Sequence, residues 1–155
     1  MIYRSGAPED ISQLINLRLA YLTEDMGPIE AASAALISQR LPSYFSAHMG
    51  KDLLVYVADQ GGRLVSTALV ILVDKPASPS FPTGRTAILL NVYTLPDFRR
   101  QGHAQKLVRM ALNGAREGGA SYMELKATEA GLNLYRKVGF QPEQSHYTNM
   151  KYSFL

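Results

Sequence analysis

The sequence contains no cysteine and no tryptophan among its 155 residues. The lack of cysteine excludes a disulfide framework, a thiolate zinc site, an iron–sulfur centre and a cysteine nucleophile. It also fits a cytoplasmic protein, since reducing compartments do not favour disulfides. The three histidines, His48, His103 and His146, are scattered and lack the short spacing of metal-ligating pairs. We therefore predict that the protein holds no metal.

Long apolar runs and a strong charge imbalance are also missing. The most apolar stretch, Leu64 to Val73, is interrupted by Ser66 and Thr67 and is too short to span a bilayer. The first residues, Met1 to Ser12, lack the apolar core of a signal peptide. A net charge of +3 is too small to indicate nucleic-acid binding by itself. We expect a soluble protein that binds neither membrane nor nucleic acid.

What is present is the composition of one ordinary globular domain, with 46% hydrophobic and 19% charged residues and no visible linker. We predict one domain, residues 1–155, of mixed α/β (α+β) class. Its predicted strands are Ile2–Arg4, Leu53–Ala58, Arg63–Val73, Thr86–Thr94, Ser121–Ala127 and one or two within Gln144–Leu155. Its predicted helices are Pro8–Leu22, Ile29–Arg40 with a broken extension to His48, Gly102–Arg116 and Glu129–Val138. Candidate core residues of the last strand are Tyr147, Met150, Tyr152 and Phe154.

The segment Leu89 to Ala104 joins a strongly apolar strand to an amphipathic helix. It contains the residues that most clearly indicate a binding site. Unpaired N–H groups at a helix start, together with Arg99 and Arg100, suit an anion the size of a diphosphate. Gly102 permits close backbone approach, and Ala104 leaves room beside it. In the alternative interpretation the two arginines are solvated and Gly102 simply begins a helix. The P-loop and Rossmann glycine patterns are both absent.

Two motifs resemble those of the GNAT superfamily of N-acetyltransferases. Arg99 to Ala104 (R-R-Q-G-H-A) fits the coenzyme A pattern [Q/R]-x-x-G-x-[G/A], and the strand end Val92 to Pro96 resembles the segment that precedes it. Leu134 to Phe140 (L-Y-R-K-V-G-F) is similar to the second signature, L-Y-x-K-x-G-F. The order of elements agrees as well. The resemblance implies a mostly antiparallel central sheet with one splayed parallel pair, flanked by about four helices.

The resemblance also implies how coenzyme A would bind. A bulge splays the central strand, and pantetheine inserts beside it as an added strand. The N–H of Val92 would polarise the thioester carbonyl, Tyr93 and Thr94 would pair with pantetheine, and Arg99 and Arg100 would add charge. The diphosphate would lie on the amides of the loop and helix start, which comprise Arg100, Gln101, Gly102, His103 and Ala104.

Tyr135 would be the general acid that protonates the departing thiolate after direct attack by a neutral amine. The alternative is a packed tyrosine whose hydroxyl reaches the surface. Thr128 stands where the family often has asparagine, and it could cap a helix and offer its hydroxyl to the cofactor. Asn133 either approaches pantetheine or is solvated, and His103 either contacts a phosphate through Nδ1 or faces solvent.

No motif identifies a general base, and a water chain could serve. Candidate carboxylates are Glu24, Asp25, Glu30, Glu124 and Glu129, each of which could instead be an ordinary surface residue. Further candidates for the acceptor site are Tyr21, Asn91 and Tyr93.

The functional prediction is an acetyl-CoA-dependent N-acetyltransferase acting on a primary amine, either a small molecule or a protein or peptide. The alternative is a non-catalytic acyl-CoA sensor or partner-binding domain of the same fold. The acceptor, and the use of acyl groups other than acetyl, stay open. An exposed terminal strand, Tyr147 to Leu155, would be a plausible edge for a homodimer.

Overall fold

Hydrophobic periodicity sets most of the element boundaries in the computed structural model, which describes all 155 residues. The strands are β1 (Ile2–Ser5), β2 (Leu53–Gln60), β3 (Arg63–Asp74), β4 (Arg85–Thr94) and β5 (Met123–Glu124). The α-helices are α1 (Ile11–Met26), α2 (Ala31–His48), α3 (His103–Glu117) and α4 (Leu132–Lys137), and short 3₁₀ turns span Pro8–Asp10 and Pro96–Phe98.

The five strands form one sheet in the order β1-β2-β3-β4-β5. The first four pair antiparallel, whereas β4 and β5 are parallel. That parallel pairing consists of Ala87 with Met123 and Ile88 with Glu124, after which β4 continues to Thr94 with no neighbour on that side. The mixed fold with a splayed parallel pair is thereby confirmed, with β4 an interior strand and β3 the middle one.

Helices cover both faces of the sheet and bury two apolar clusters. Leu107, Val108, Ala111 and Ala115 repeat at helical spacing, so α3 turns one stripe onto the sheet. On the opposite face α1 and α2 pack against the sheet through Leu14, Leu17 and Phe45. The sheet residues of this cluster are Leu53, Val55, Val57, Leu64, Leu69 and Tyr93. The two layers hold β4 rigidly between them, and β4 is the strand from which the site is built.

Helix α2 runs unbroken to His48, although a break near Pro42 was expected. Proline cannot donate to the helix and leaves one carbonyl of the preceding turn without its usual partner. Pro42 lies on the exposed side of α2, where water can hydrate that carbonyl. The buried Phe45 on the other side keeps the helix against the sheet.

The C-terminal segment corrects the prediction of a terminal strand. Residues 141–155 form no strand, and no backbone hydrogen bond joins them to the sheet. The expected core residues are highly exposed: Tyr147 76%, Met150 91%, Tyr152 82% and Phe154 91%. Alternating apolar residues form a strand only where an edge is available, and β5 offers only two residues for pairing.

The elements around β5 are also shorter than predicted. β5 comprises only Met123 and Glu124 instead of Ser121–Ala127, and α4 starts at Leu132 instead of Glu129. Between them Thr128 closes a turn, since its Oγ1 accepts a hydrogen bond from the N–H of Gly131 at 3.2 Å. The prediction that Thr128 caps this helix is therefore wrong, because the N-cap of α4 is Gly131 and no side chain caps the helix.

Candidate active site

A bulge in β4 determines which side chains face the site. The pairs Leu69–Leu90 and Thr67–Tyr93 show that β4 uses one residue more than β3 over this stretch. Asn91 takes up the extra length with a left-handed backbone, φ 52°. As a result Leu89 packs on the α3 face while Tyr93 packs on the α1–α2 face.

Val92 follows the bulge and has no partner residue in β3 or in β5. On one side the bulge interrupts the pairing of β4 with β3, and on the other side β4 has already diverged from β5. A backbone unit in this position can pair with an extended ligand as it would with another strand. The geometry matches the strand end expected from the sequence.

The splay opens a cleft of about 1530 Å³ between the end of β4 and the segment from β5 to α4. It brings together most of the predicted cofactor residues: Val92, Tyr93, Thr94, Arg99, Arg100, Gly102, His103, Ala104, Thr128 and Tyr135. Two predicted residues do not line it. Gln101 turns away and donates to the carbonyl of Asp97 at 3.3 Å, and Asn133 is exposed on α4, as in its solvated interpretation.

The loop before α3 forms an open cradle at the start of the helix. Arg100 and Gly102 have positive φ values of 60° and 82°, and α3 begins at the next residue, His103. No atom lies within 4 Å of the position that a Cβ on Gly102 would take. The free N–H groups of the first turn and the positive end of the helix dipole therefore face open space, which suits an anion.

Arg99 is committed to protein partners in this structure. Its Nη2 donates to Oε2 of Glu24 at 2.6 Å, and its Nε donates to the carbonyl of Thr94 at 2.9 Å. The guanidinium also lies 5.5 Å from the centre of the Tyr93 ring. Burial, and secondarily Glu24, raises the pKa of Tyr93. The assignment of Arg99 to a diphosphate stays a prediction, and binding there would compete with Glu24.

His103 is buried, with 6% of its surface exposed, so the expectation that it faces solvent is wrong. The first turn of α3 directs it toward the sheet, where its Nδ1 and the hydroxyl of Tyr3 on β1 are 2.7 Å apart. That nitrogen is the one expected to reach a phosphate. The other, Nε2, is buried without a hydrogen-bond partner.

Tyr135 lies on α4, on the wall of the cleft across from β4, and its ring packs edge-on against Phe140. Burial raises the pKa of Tyr135 to about 12, and the nearby Tyr21 adds to the effect. The phenol therefore keeps its proton throughout the neutral range. Tyr135 can act there as a proton donor but not as a base.

The C-terminal end of α1 forms the remaining wall of the cleft. Tyr21 packs edge-on against Tyr93 at 6.3 Å between ring centres, and Glu24 and Asp25 follow it on the helix. Of the carboxylates proposed as bases, Glu24, Asp25 and Glu124 line the cleft, whereas Glu30 and Glu129 do not. Glu24 is paired with Arg99, so Asp25 and Glu124 are the less committed of the three.

Two features of the cleft region, the contact made by Arg18 and the position of the C-terminal segment, were not predicted from the sequence. Arg18, on α1, donates from Nη1 to Oδ1 of Asn91 at 3.1 Å, which links the helix to the bulge. A signal for it existed, since Arg18 interrupts an otherwise apolar helical stripe. The C-terminal segment also reaches the cleft, where Tyr147 and Asn149 line its mouth.

None of the helices combines the length and hydropathy needed to cross a membrane. No three histidine, aspartate or glutamate side chains come close enough together to hold a metal ion.

Comparison with known proteins agrees with the fold. The model of the GNAT acetyltransferase domain family matches residues 51–142, and the chain belongs to that family. A predicted acetyltransferase from Clostridium acetobutylicum, solved with acetyl-CoA, is 26% identical with a TM-score of 0.83, over 97% of this chain and 95% of that one. No curated protein matches the chain.

More distant structures share the fold. A GCN5-related N-acetyltransferase from Ralstonia eutropha JMP134 is 22% identical, with a TM-score of 0.80 over 96% of this chain and 97% of that one. Glucosamine-6-phosphate N-acetyltransferase from Arabidopsis thaliana is 15% identical, with a TM-score of 0.70 over 99% and 97% of the two chains.

Proposed function

We propose that the protein transfers the acetyl group of acetyl-CoA to a primary amine by direct attack. Membership of the GNAT acetyltransferase family supports acyl transfer in general. The observation that carries the specific proposal is the cleft itself, which has the unpaired Val92 on one wall and Tyr135 on another. One wall supplies a backbone donor for the thioester and the other supplies an acid for its sulfur.

The residues present fit coenzyme A. The open space in front of Gly102 and the free amides of α3 suit the diphosphate, and Arg100 lines the cleft there without an ion-pair partner. The backbone of Val92 to Thr94 would hold the pantetheine arm. Thr128 and Ala104 line the same cleft and would border the cofactor. When bound, acetyl-CoA supplies an activated thioester.

Three roles would then fall to groups of the protein or its water: a hydrogen-bond donor, a general acid and a proton acceptor. The N–H of Val92 donates to the thioester oxygen, where negative charge develops as the amine attacks, and a backbone donor does this without reorganisation. Tyr135 donates its proton to the sulfur as the C–S bond breaks. A water, or a carboxylate such as Asp25 or Glu124, accepts the proton that the acceptor ammonium must lose.

Tyr135 is the preferred acid because it lies on the wall across from β4 and its hydroxyl makes no hydrogen bond within the protein. There is no cysteine, and Nδ1 of His103 is engaged by Tyr3. Burial raises the pKa of Tyr135 to about 12, so the phenol is protonated throughout the neutral range.

The experiment is a thiol-release assay with acetyl-CoA and a library of primary amines, with products identified by mass spectrometry. We expect amine-dependent release of thiol and a product heavier by one acetyl group. Tyr122→Phe, at an exposed position outside the cleft, is the matched control and should leave the rate unchanged. Binding of acetyl-CoA with no acetylated product from any amine would favour the non-catalytic sensor instead.

A further inference from the structure

Arg18 is a cation without an acidic partner at the junction of α1 and β4. It is half-buried, and its one side-chain hydrogen bond within the protein is from Nη1 to Oδ1 of Asn91 at 3.1 Å. The ion pairs of the protein involve Arg4, Arg85, Arg99 and His48, but not Arg18. A guanidinium has five N–H donors, so most of those on Arg18 are not used by the protein.

Arg18 does not itself line the cleft, but its hydrogen-bond partner and a neighbouring residue of α1 do. Tyr21 lies three residues further along α1, on the same face of the helix, and lines the cleft, as does Asn91. The charge of Arg18 acts on Tyr21 and on Tyr44 of α2, where in each case it opposes the rise in pKa caused by burial. The hydrogen bond to Asn91 places the guanidinium of Arg18 beside the bulge, on the α1 side of β4.

The bulge places Arg18 close to the predicted reaction centre. Its partner Asn91 immediately precedes Val92, the residue that would donate to the thioester. An amine that attacks at Val92 would have its other substituents within reach of the α1 wall. A half-buried guanidinium with free donors favours an anionic substituent there, and its planar fork matches a carboxylate.

Resting on the proposed function, we infer that the acceptor is a small amine that also carries a carboxylate, and that Arg18 binds that carboxylate. A carboxylate fits better than a phosphate for two reasons. Arg18 is a single guanidinium, which two carboxylate oxygens can satisfy. In addition, Glu24 and Asp25 line the same end of the cleft and disfavour the second negative charge of a phosphate.

The test compares acceptors that differ only in the anionic group. Wild-type protein is assayed with a set of amino acids, with the corresponding amino acid amides and with O-phosphoethanolamine, under saturating acetyl-CoA. The same acceptors are given to Arg18→Gln, to Arg18→Lys and to Arg40→Gln. Arg40 is an exposed arginine on α2 outside the cleft and controls for the loss of one positive charge.

We expect the amino acids to be acetylated at least about 10-fold more efficiently than their amides. Arg18→Gln should lower kcat/KM for the acids by about 10- to 100-fold, as for the loss of hydrogen bonds to a charged group, with most of the effect in KM. It should leave the amides and the affinity for acetyl-CoA nearly unchanged. Arg18→Lys should retain part of the preference, and Arg40→Gln all of it.

Three results would overturn the inference while leaving the proposed function intact: amides acetylated as well as acids, equal losses for all acceptors in Arg18→Gln, or preference for the phosphate-bearing amine. Absence of product from all of these acceptors, with another primary amine acetylated, would overturn the inference alone, whereas absence of product from the whole amine library would overturn both. If Arg18→Gln fails to fold, the acid-to-amide ratio of the wild type and of Arg18→Lys still decides the question.

Discussion

Replacing Tyr135 with phenylalanine should abolish most of the chemistry while leaving the fold intact. The change removes one hydroxyl, which makes no hydrogen bond within the protein, and retains the ring that packs against Phe140. The thermal midpoint should therefore change little. Loss of a positioned acid lowers the rate of the chemical step by about 10²- to 10⁴-fold. Acetyl-CoA affinity should hardly change, because the phenol acts as the thiolate departs.

The pH dependence gives a second, independent signature of Tyr135. Burial raises its pKa to about 12, so the acid form persists as the pH rises past the usual value near 10 for a phenol. The single-turnover rate of the wild type should show no loss assignable to Tyr135 until the pH approaches 12.

Rapid-quench measurements with protein in excess over acetyl-CoA report the chemical step without interference from product release. Tyr122→Phe serves again as the control. A single-turnover rate in Tyr135→Phe equal to that of the wild type would show that Tyr135 only packs. A decline in the wild-type rate with a midpoint near pH 10 would contradict the effect assigned to burial.

Three further predictions follow from the contacts around the cleft and at the edge of the sheet. Gly102→Val places a β-branched residue at φ 82° and fills the space before α3. Acetyl-CoA should therefore bind at least about 10-fold more weakly by calorimetry, and an unchanged affinity would show that the diphosphate does not bind here. Glu24→Gln frees Arg99 from an exposed ion pair worth at most about 1 kcal/mol, so acetyl-CoA should bind up to about 5-fold more tightly, and weaker binding would show that the pair supports the site. Asp10 is buried against Arg4, whose hydrogen bonds lower the pKa of that carboxyl, so Asp10→Asn should cost about 1.5–3 kcal/mol in denaturant unfolding at pH 7. The stabilisation due to Asp10 is complete above its unfolded pKa near 3.9 and is lost as the pH falls through the lower folded value, so a loss that persists undiminished at pH 2 would contradict the assignment.

Sequence reasoning succeeded where a pattern is local. The apolar stripe of α3 places its buried residues, and Gly102 predicts the start of the same helix at nearly the observed position. The bulge of β4 entered as an implication of the family resemblance. The structure then located it at Asn91, because only the pairing with β3 shows which residue is extra.

It failed where a side chain's direction or a distant partner decides the outcome. His103 is polar and begins a helix, yet the turn of α3 points it at Tyr3 on β1, one hundred residues away in sequence. The pair Glu24–Arg99 spans seventy-five residues and has no sequence signal. The alternating Met150, Tyr152 and Phe154 resembled a strand, but they are exposed and form no backbone hydrogen bond with the sheet.

The C-terminal segment also bears on the expected homodimer. Its exposed aromatic residues, among them Tyr152 and Phe154, lie outside the sheet and not in a strand with a free edge. The homodimer stays a prediction, although not through a terminal strand, and is tested by sedimentation of the whole chain over a range of concentrations.

The most direct test of the whole account is amide hydrogen exchange with and without acetyl-CoA, followed by mass spectrometry of peptides across the chain. When acetyl-CoA binds, amide exchange should slow at Val92 to Thr94 and at Arg100 to Ala104. These are the backbone groups that would pair with pantetheine and the diphosphate. Helix α2, of which no residue lines the cleft, should not respond. Protection elsewhere with none at these two segments would contradict the assignment of the cleft between β4 and β5 as the acetyl-CoA site.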